Sequence, residues 1–209
     1  MKQKISSSFI NMVGVLFFVT LISASSLAGV YKVTKNIINE IAIKKQQEAL
    51  KAVIATDYDN NPFEEKTVAG NIEVYPAKKN GDVTSYAIKS VSSKGYNGNI
   101  EIMLGLLPDG VVSNLVIVSQ SETPGLGTRV TEPPFVNQFN GKNLAKGILK
   151  VKKDGGDVDA ITGATISSRA VTDAIARAYY YFVNGKEMSN VENDAKTSSD
   201  SKTGASKLY

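Results

Sequence analysis

Phe9 to Tyr31 is an almost unbroken run of apolar and small residues, with Asn11, Thr20 and a few serines as its polar members. About 20 such residues in a helix cross the hydrocarbon core of a bilayer, where a helix is one of the two backbone forms that satisfy every amide internally. The run predicts a transmembrane helix over residues 9–31 and confines whatever folds next to one side of it. Lys2 and Lys4 precede it and no acidic residue does, so by the positive-inside rule residues 1–8 are expected in the cytoplasm and everything after Tyr31 across the membrane. A cleaved export signal is the competing reading, since Ala24-Ser-Ser-Leu-Ala28 offers small residues to a peptidase. The run continues through Val30 and Tyr31 past that point, which favours a retained anchor. Both readings export the domain.

The 209 residues include no Cys and no His. Disulfides, thiolate-bound clusters and c-type haem attachment are thereby excluded, as are imidazole bases and ligands. Redox work by this chain would need an organic cofactor that the protein binds and tunes. The net charge of +4 is mild, and much of the basic excess flanks the apolar run in Lys2, Lys4, Lys32, Lys35, Lys44 and Lys45. No face combines basic with aromatic residues, so nucleic acid is not an expected partner.

Beyond the anchor, residues 32–60 read as a juxtamembrane helix and linker. Ile38, Ile41, Leu50 and Val53 give helical character to Ile37–Val53, and Asp57 to Pro62 is rich in turn formers. Residues 61–185 form the expected domain. Asn71–Pro76, Ser85–Val91, Ile100–Leu107 and Val111–Ser119 read as strands separated by Asn-Gly-Asp and Pro-Asp-Gly turns. Leu144–Val151 fits a short strand or a short helix. Val171, Ala174, Ile175, Ala178 and Phe182 recur at helical spacing, with Arg169, Asp173 and Arg177 on the other side. From 186 to 209 the chain turns polar, as expected of a disordered tail. The fold class is α+β: a small domain with a largely antiparallel sheet and flanking helices, tethered by one N-terminal helix.

Two segments carry chemistry. In Asp159-Ala-Ile-Thr-Gly-Ala-Thr165, Gly163 and Ala164 remove side-chain bulk and Thr165 stands at or just before the predicted helix. Unpaired amides and the helix dipole favour a phosphate there. The same residues also suit a plain helix start, with Thr165, Ser167 or Ser168 as N-cap. In Ser121-Glu-Thr-Pro-Gly-Leu-Gly127, two glycines and a proline describe a tight loop whose backbone could pack on a flat ring, although alone it is only a turn.

Asp159–Thr165 resembles the D-x-x-[S/T]-G-A-T flavinylation motif, with Thr162 in place of the commoner Ser, and Glu122–Gly127 resembles the E-T-P-G-L-G loop of the same flavoproteins. Lys94-Gly-Tyr-Asn-Gly98 and the aromatic segment Pro134–Phe139 resemble further family segments, though a Trp often found in the latter is absent. Order and spacing agree from Ser93 to Phe182. The chain is thus similar to the FMN-binding membrane subunits of the Rnf and Nqr respiratory complexes, and most so to the G component of the Rnf-type ion-translocating oxidoreductase complex.

The resemblance implies an electron carrier without a complete catalytic site of its own, with FMN covalently linked to Thr165. It implies Thr162, Gly163, Ala164 and Asp159 around that link, and Glu122, Thr123, Pro124, Gly125, Leu126 and Gly127 against the ring. Asp159 would orient the Thr165 hydroxyl or serve as a solvated turn residue; Glu122 would contact the flavin or make a loop salt bridge. Partners would be the other subunits of a translocase in a bacterial inner membrane and a separate flavin transferase for maturation. The C component of a sodium-translocating NADH:quinone reductase, a tethered extracytoplasmic scaffold and a stand-alone flavin carrier are the alternatives.

Overall fold

The computed structural model describes residues 9–54 and 57–184. Residues 1–8, with Lys2 and Lys4, and the tail expected to be disordered at 186–209 lie outside the described residues.

Helix α1 runs from Phe9 to Val53. No Pro falls between Tyr31 and Val53 and no Gly follows Gly29 there, so nothing in the sequence ends the helix where the apolar run ends. Its N-terminal part, up to Lys45, is a compact unit of its own, long and apolar enough to cross a membrane, with Phe17, Phe18 and Ile22 among many exposed apolar side chains.

The second unit begins at Gln46. Five strands, β1 (Thr67–Ala69), β2 (Ile72–Lys79), β3 (Asp82–Ser92), β4 (Ile100–Leu106) and β5 (Val112–Ser119), form an antiparallel sheet in sequential order. Tight turns set that order. Asn80 and Gly81 both have positive φ, as a two-residue hairpin between β2 and β3 requires, and the Gly110 amide closes the β4–β5 turn on Leu107 O at 2.9 Å. Short helix α2 (Pro133–Val136) and the long helix α3 (Thr165–Asn184) follow.

Alternation along the strands divides the buried residues between two faces. Ile88, Ile100, Ile102, Leu104, Leu106 and Leu115 pack with Ala170, Val171, Ala174, Ile175 and Ala178 of α3. The small alanines let the helix lie close to the sheet. On the opposite face Tyr75, Ala77, Ala87 and Met103 are covered by Ala49, Leu50, Val53 and Ile54, from the last turns of α1. Those turns are also held by polar bonds. Ser113 Oγ donates to Val53 O at 2.7 Å and Asn114 Nδ2 to Ala52 O at 2.9 Å, so side chains of β5 satisfy carbonyls that the helix end leaves open. A Cβ on Gly105 would stand 2.3 Å from Val53 O, so this helix end touches the backbone of β4.

Gln46 Nε2 donates to the Tyr75 hydroxyl at 2.5 Å, which donates to Glu73 Oε2 at 2.6 Å. Lys89 and Lys66 also reach the Glu73 carboxylate, at 2.9 and 3.1 Å. Residues 144–151 form neither strand nor helix: Ile148 N–H donates to Asp157 Oδ2 at 3.0 Å, and Val151 bridges Val158.

Candidate functional site

Thr165 is the first residue of α3. The turn before it has Gly163 at φ +80°, and a Cβ there would lie 3.4 Å from Leu126 Cδ2. Ser168 fixes this turn from the inside. Its hydroxyl accepts from Ile161 N–H and donates to Ala164 O, both at 3.0 Å. Ser167, one position earlier, is also committed: its hydroxyl donates to Glu122 Oε2 at 2.5 Å. The two serines that shared the N-cap reading with Thr165 are therefore both buried and bonded elsewhere. The Thr165 side chain is half-buried and, among the described residues, makes no hydrogen bond of its own.

Glu122 is 4% exposed, an unusual position for a carboxylate, and its bonds explain it. Besides Ser167 on Oε2, the Asn97 amide donates to Oε1 at 3.1 Å. The Asn97 side chain donates to Ser121 O at 2.7 Å, and the Glu122 amide donates to Gln120 Oε1 at 2.6 Å. One buried carboxylate thus joins the loop at 94–98, the loop at 121–127 and the start of α3. Glycines make the approach possible. A Cβ on Gly127 would meet Glu122 Cβ at 2.7 Å and Ser167 Oγ at 2.8 Å, and one on Gly95 would meet Gly98 O at 2.2 Å.

These three segments enclose a cleft of about 550 Å³. Of the residues singled out from the sequence, Glu122, Thr123, Leu126, Gly127, Gly163, Ala164 and Thr165 line it. Pro124 and Gly125 lie exposed at the bend of the loop, where the Gly125 amide donates to Thr128 Oγ1 at 3.0 Å. Asp159 and Thr162 line a different depression of about 230 Å³, beside Arg129 and Gln138. The Asp159 carboxylate is held by Lys152 Nζ at 2.7 Å, and its backbone by Gln138.

Tyr96, Lys153, Ile166 and Ser167 complete the cleft lining. Lys153 carried no signal in the sequence, being one of five lysines between 142 and 153. Next to Lys153 in sequence, Asp154 is bonded to Arg169 of α3 at 2.7 Å through two nitrogens, and those bonds hold its carboxyl below the ordinary range. Asp173, deeper on α3, is pushed upward by burial, but bonds from Lys94, Ser92 and Arg177 outweigh this and leave it below its ordinary value. They also pin the start of the 94–98 loop to α3.

Phosphate recognition is the chemistry this arrangement offers. Thr165 stands at the N-terminal end of α3, where first-turn amides and the helix dipole favour an anion, and Lys153 lines the same cleft. Leu126, Ile166 and Tyr96 add apolar and aromatic groups to a lining that also holds Glu122 and Thr123, the mixture typical of a small-molecule site.

Residues 95–180 match the FMN-binding domain family, a span that holds every lining residue of the cleft. FMN, a planar ring with a phosphate at the end of its side chain, fits such a cleft. The chain is 34% identical to the G component of the ion-translocating oxidoreductase complex of Haemophilus influenzae (strain PittEE), over 88% of this chain and 94% of that one. It is 31% identical to the G component of the Na(+)-translocating ferredoxin:NAD(+) oxidoreductase complex of Acetobacterium woodii, over 81% and 89%. Among solved structures, the C component of the Na(+)-translocating NADH-quinone reductase of Parabacteroides distasonis matches at 28% identity with a TM-score of 0.44, covering 53% of this chain and 61% of that one. Sharing about a third of its residues over nearly the whole length of the first two proteins, the chain belongs to the G-component family of ion-translocating oxidoreductase complexes.

Proposed function

We propose that this chain is the electron-carrying flavoprotein subunit of a membrane complex that couples electron transfer of the ferredoxin/NAD type to ion translocation, and that Thr165 carries FMN through a phosphoester bond. One observation carries the assignment: the unbonded Thr165 hydroxyl opens α3 inside the cleft, where helix amides and Lys153 favour a phosphate. Of the hydroxyls between Asp159 and Ser168, Ser167 and Ser168 are engaged in buried bonds and Thr162 lines a different depression, which leaves Thr165 as the one in the cleft without a bond.

A separate flavin transferase would make the bond. The Thr165 oxygen would attack the flavin-side phosphorus of FAD, the pyrophosphate P–O bond would break, AMP would leave, and the hydroxyl proton would pass to a base of the transferase. The bound flavin supplies the electron chemistry. The protein's own residues tether it, neutralise its phosphate and wall its ring from water. A covalent tether suits a carrier that faces the far side of a bacterial inner membrane, where a dissociated flavin could not be replaced from the cytoplasm. That orientation, with the N-terminus cytoplasmic and the flavin domain outside, rests on the lysines before α1.

The test is Thr165→Val, produced together with the transferase. Loss of the FMN mass from the intact protein is expected. Retention of that mass would overturn the assignment and move the link to Thr162, Ser167 or Ser168.

A further inference from the structure

Tyr96 is 69% exposed, yet it lines the cleft and, among the described residues, is the one aromatic side chain that does so. Its backbone is not free. On one side Lys94 Nζ is bonded to Asp173 Oδ1 of α3 at 2.8 Å, and the Lys94 amide donates to Ser92 Oγ at 3.3 Å. On the other side the Asn97 amide is held by Glu122. Between these anchors, Gly95 sits where any Cβ would strike Gly98 O and Glu122 Oε1. The loop is tightly built, and what it presents is an uncovered phenol ring in the lining of the same cleft as Leu126, itself 48% exposed. A rigid loop that holds a large aromatic in water, at the mouth of a cleft walled by an apolar residue, has a physical rationale when a flat ligand lies against it.

We propose that Tyr96 covers the isoalloxazine ring of the bound flavin, closing the cleft over it and standing in contact with its π-system. The proposal rests on the assignment of FMN to Thr165 and extends it to a residue that governs the ring's solvent exposure. A phenol in contact with a flavin has a spectroscopic signature. It quenches flavin fluorescence by giving an electron to the excited ring and taking it back, with no net change in either group.

The experiment compares flavinylated wild type, Tyr96→Phe and Tyr96→Ala by intact mass, flavin fluorescence yield and collisional quenching by iodide. Each should carry the FMN mass, since Tyr96 is remote in sequence from Thr165 and exposed. In Tyr96→Phe the fluorescence should rise several-fold, because a phenyl ring is a poor electron donor, while iodide access stays as in wild type. In Tyr96→Ala both fluorescence and iodide access should rise. Equal fluorescence and equal iodide access in all three, with FMN attached, would overturn the cover and leave the Thr165 assignment intact. A wild type without FMN on Thr165 would overturn both. If Tyr96→Ala takes up no flavin, the comparison of Tyr96→Phe with wild type decides alone.

Discussion

The Ser167 hydroxyl donates to the Glu122 carboxylate at 2.5 Å across 45 positions of sequence, with both residues almost wholly buried. This bond ties the loop that forms one wall of the cleft to the helix whose first residue is Thr165. Ser167→Ala should cost about 1.5–3 kcal/mol, the range for a hydrogen bond to a charged group. Glu122→Ala should cost more, since it orphans both the Asn97 amide and the Ser167 hydroxyl at about 1–3 kcal/mol each. Urea midpoints of the two variants and the double variant check this. Strictly additive losses would show that the pair is not coupled.

Gly163 and Gly127 fail in different ways when enlarged. Gly163→Ala places an L residue at φ +80°, at a backbone cost of about 1–2 kcal/mol, with the new methyl in ordinary contact with Leu126. Gly127→Ala forces atoms to 2.7–2.8 Å from Glu122 and Ser167, an overpacking worth about 1–3 kcal/mol. Flavin incorporation, followed by mass alongside stability, should fall in both. Full incorporation in Gly127→Ala would mean that the Glu122–Ser167 contact is not needed to present Thr165.

Leu126 bears on the flavin's electronics. Leu126→Ala should leave FMN attached and shift both its absorption band and its midpoint potential, because contacts to the ring tune it while the phosphoester only tethers it. Spectroelectrochemistry of the purified variant reads both. Unchanged values would remove Glu122–Gly127 from the ring site and leave Thr165 in place.

Acid should weaken the other side of the sheet. Burial raises the Glu73 carboxyl, but bonds from Tyr75, Lys89 and Lys66 outweigh it and bring it down to about 2 from the ordinary 4.5. A carboxyl depressed on folding contributes stability that is present above the unfolded value and lost as pH falls towards the folded one. Glu73→Gln should therefore lower stability at neutral pH and flatten its decline between pH 4.5 and 2. Parallel pH profiles for variant and wild type would exclude Glu73 as the source.

The four long strands and α3 were legible because alternation, turn residues and helical spacing are local. β1 was not: three residues between Lys66 and Gly70 carry too short a pattern to read. Residues 144–151 were ambiguous because Asp157 and Val158, outside the segment, decide their path. The cleft shows the same division. Thr165, Gly163 and Leu126 stood out through motif and turn chemistry. The part played by Glu122 depends on Ser167 and Asn97, and that of Lys153 on a backbone course that no local pattern encodes. Asp159 read as a neighbour of Thr165 by spacing, yet its carboxylate is engaged by Lys152.

The hydrogen bonds from Ser113 and Asn114 to the last carbonyls of α1 decide where this domain can be cut. A soluble form beginning at residue 61 would expose Tyr75, Ala77, Ala87 and Met103 to water and leave the Gly105 strand without its neighbour. One beginning just before Gln46 would keep that lid and the Gln46–Tyr75 bond. A protease that nicks the chain at 57–62 would likewise leave the fragment behind it seated on the sheet, so cleavage there need not release the flavin domain from its anchor.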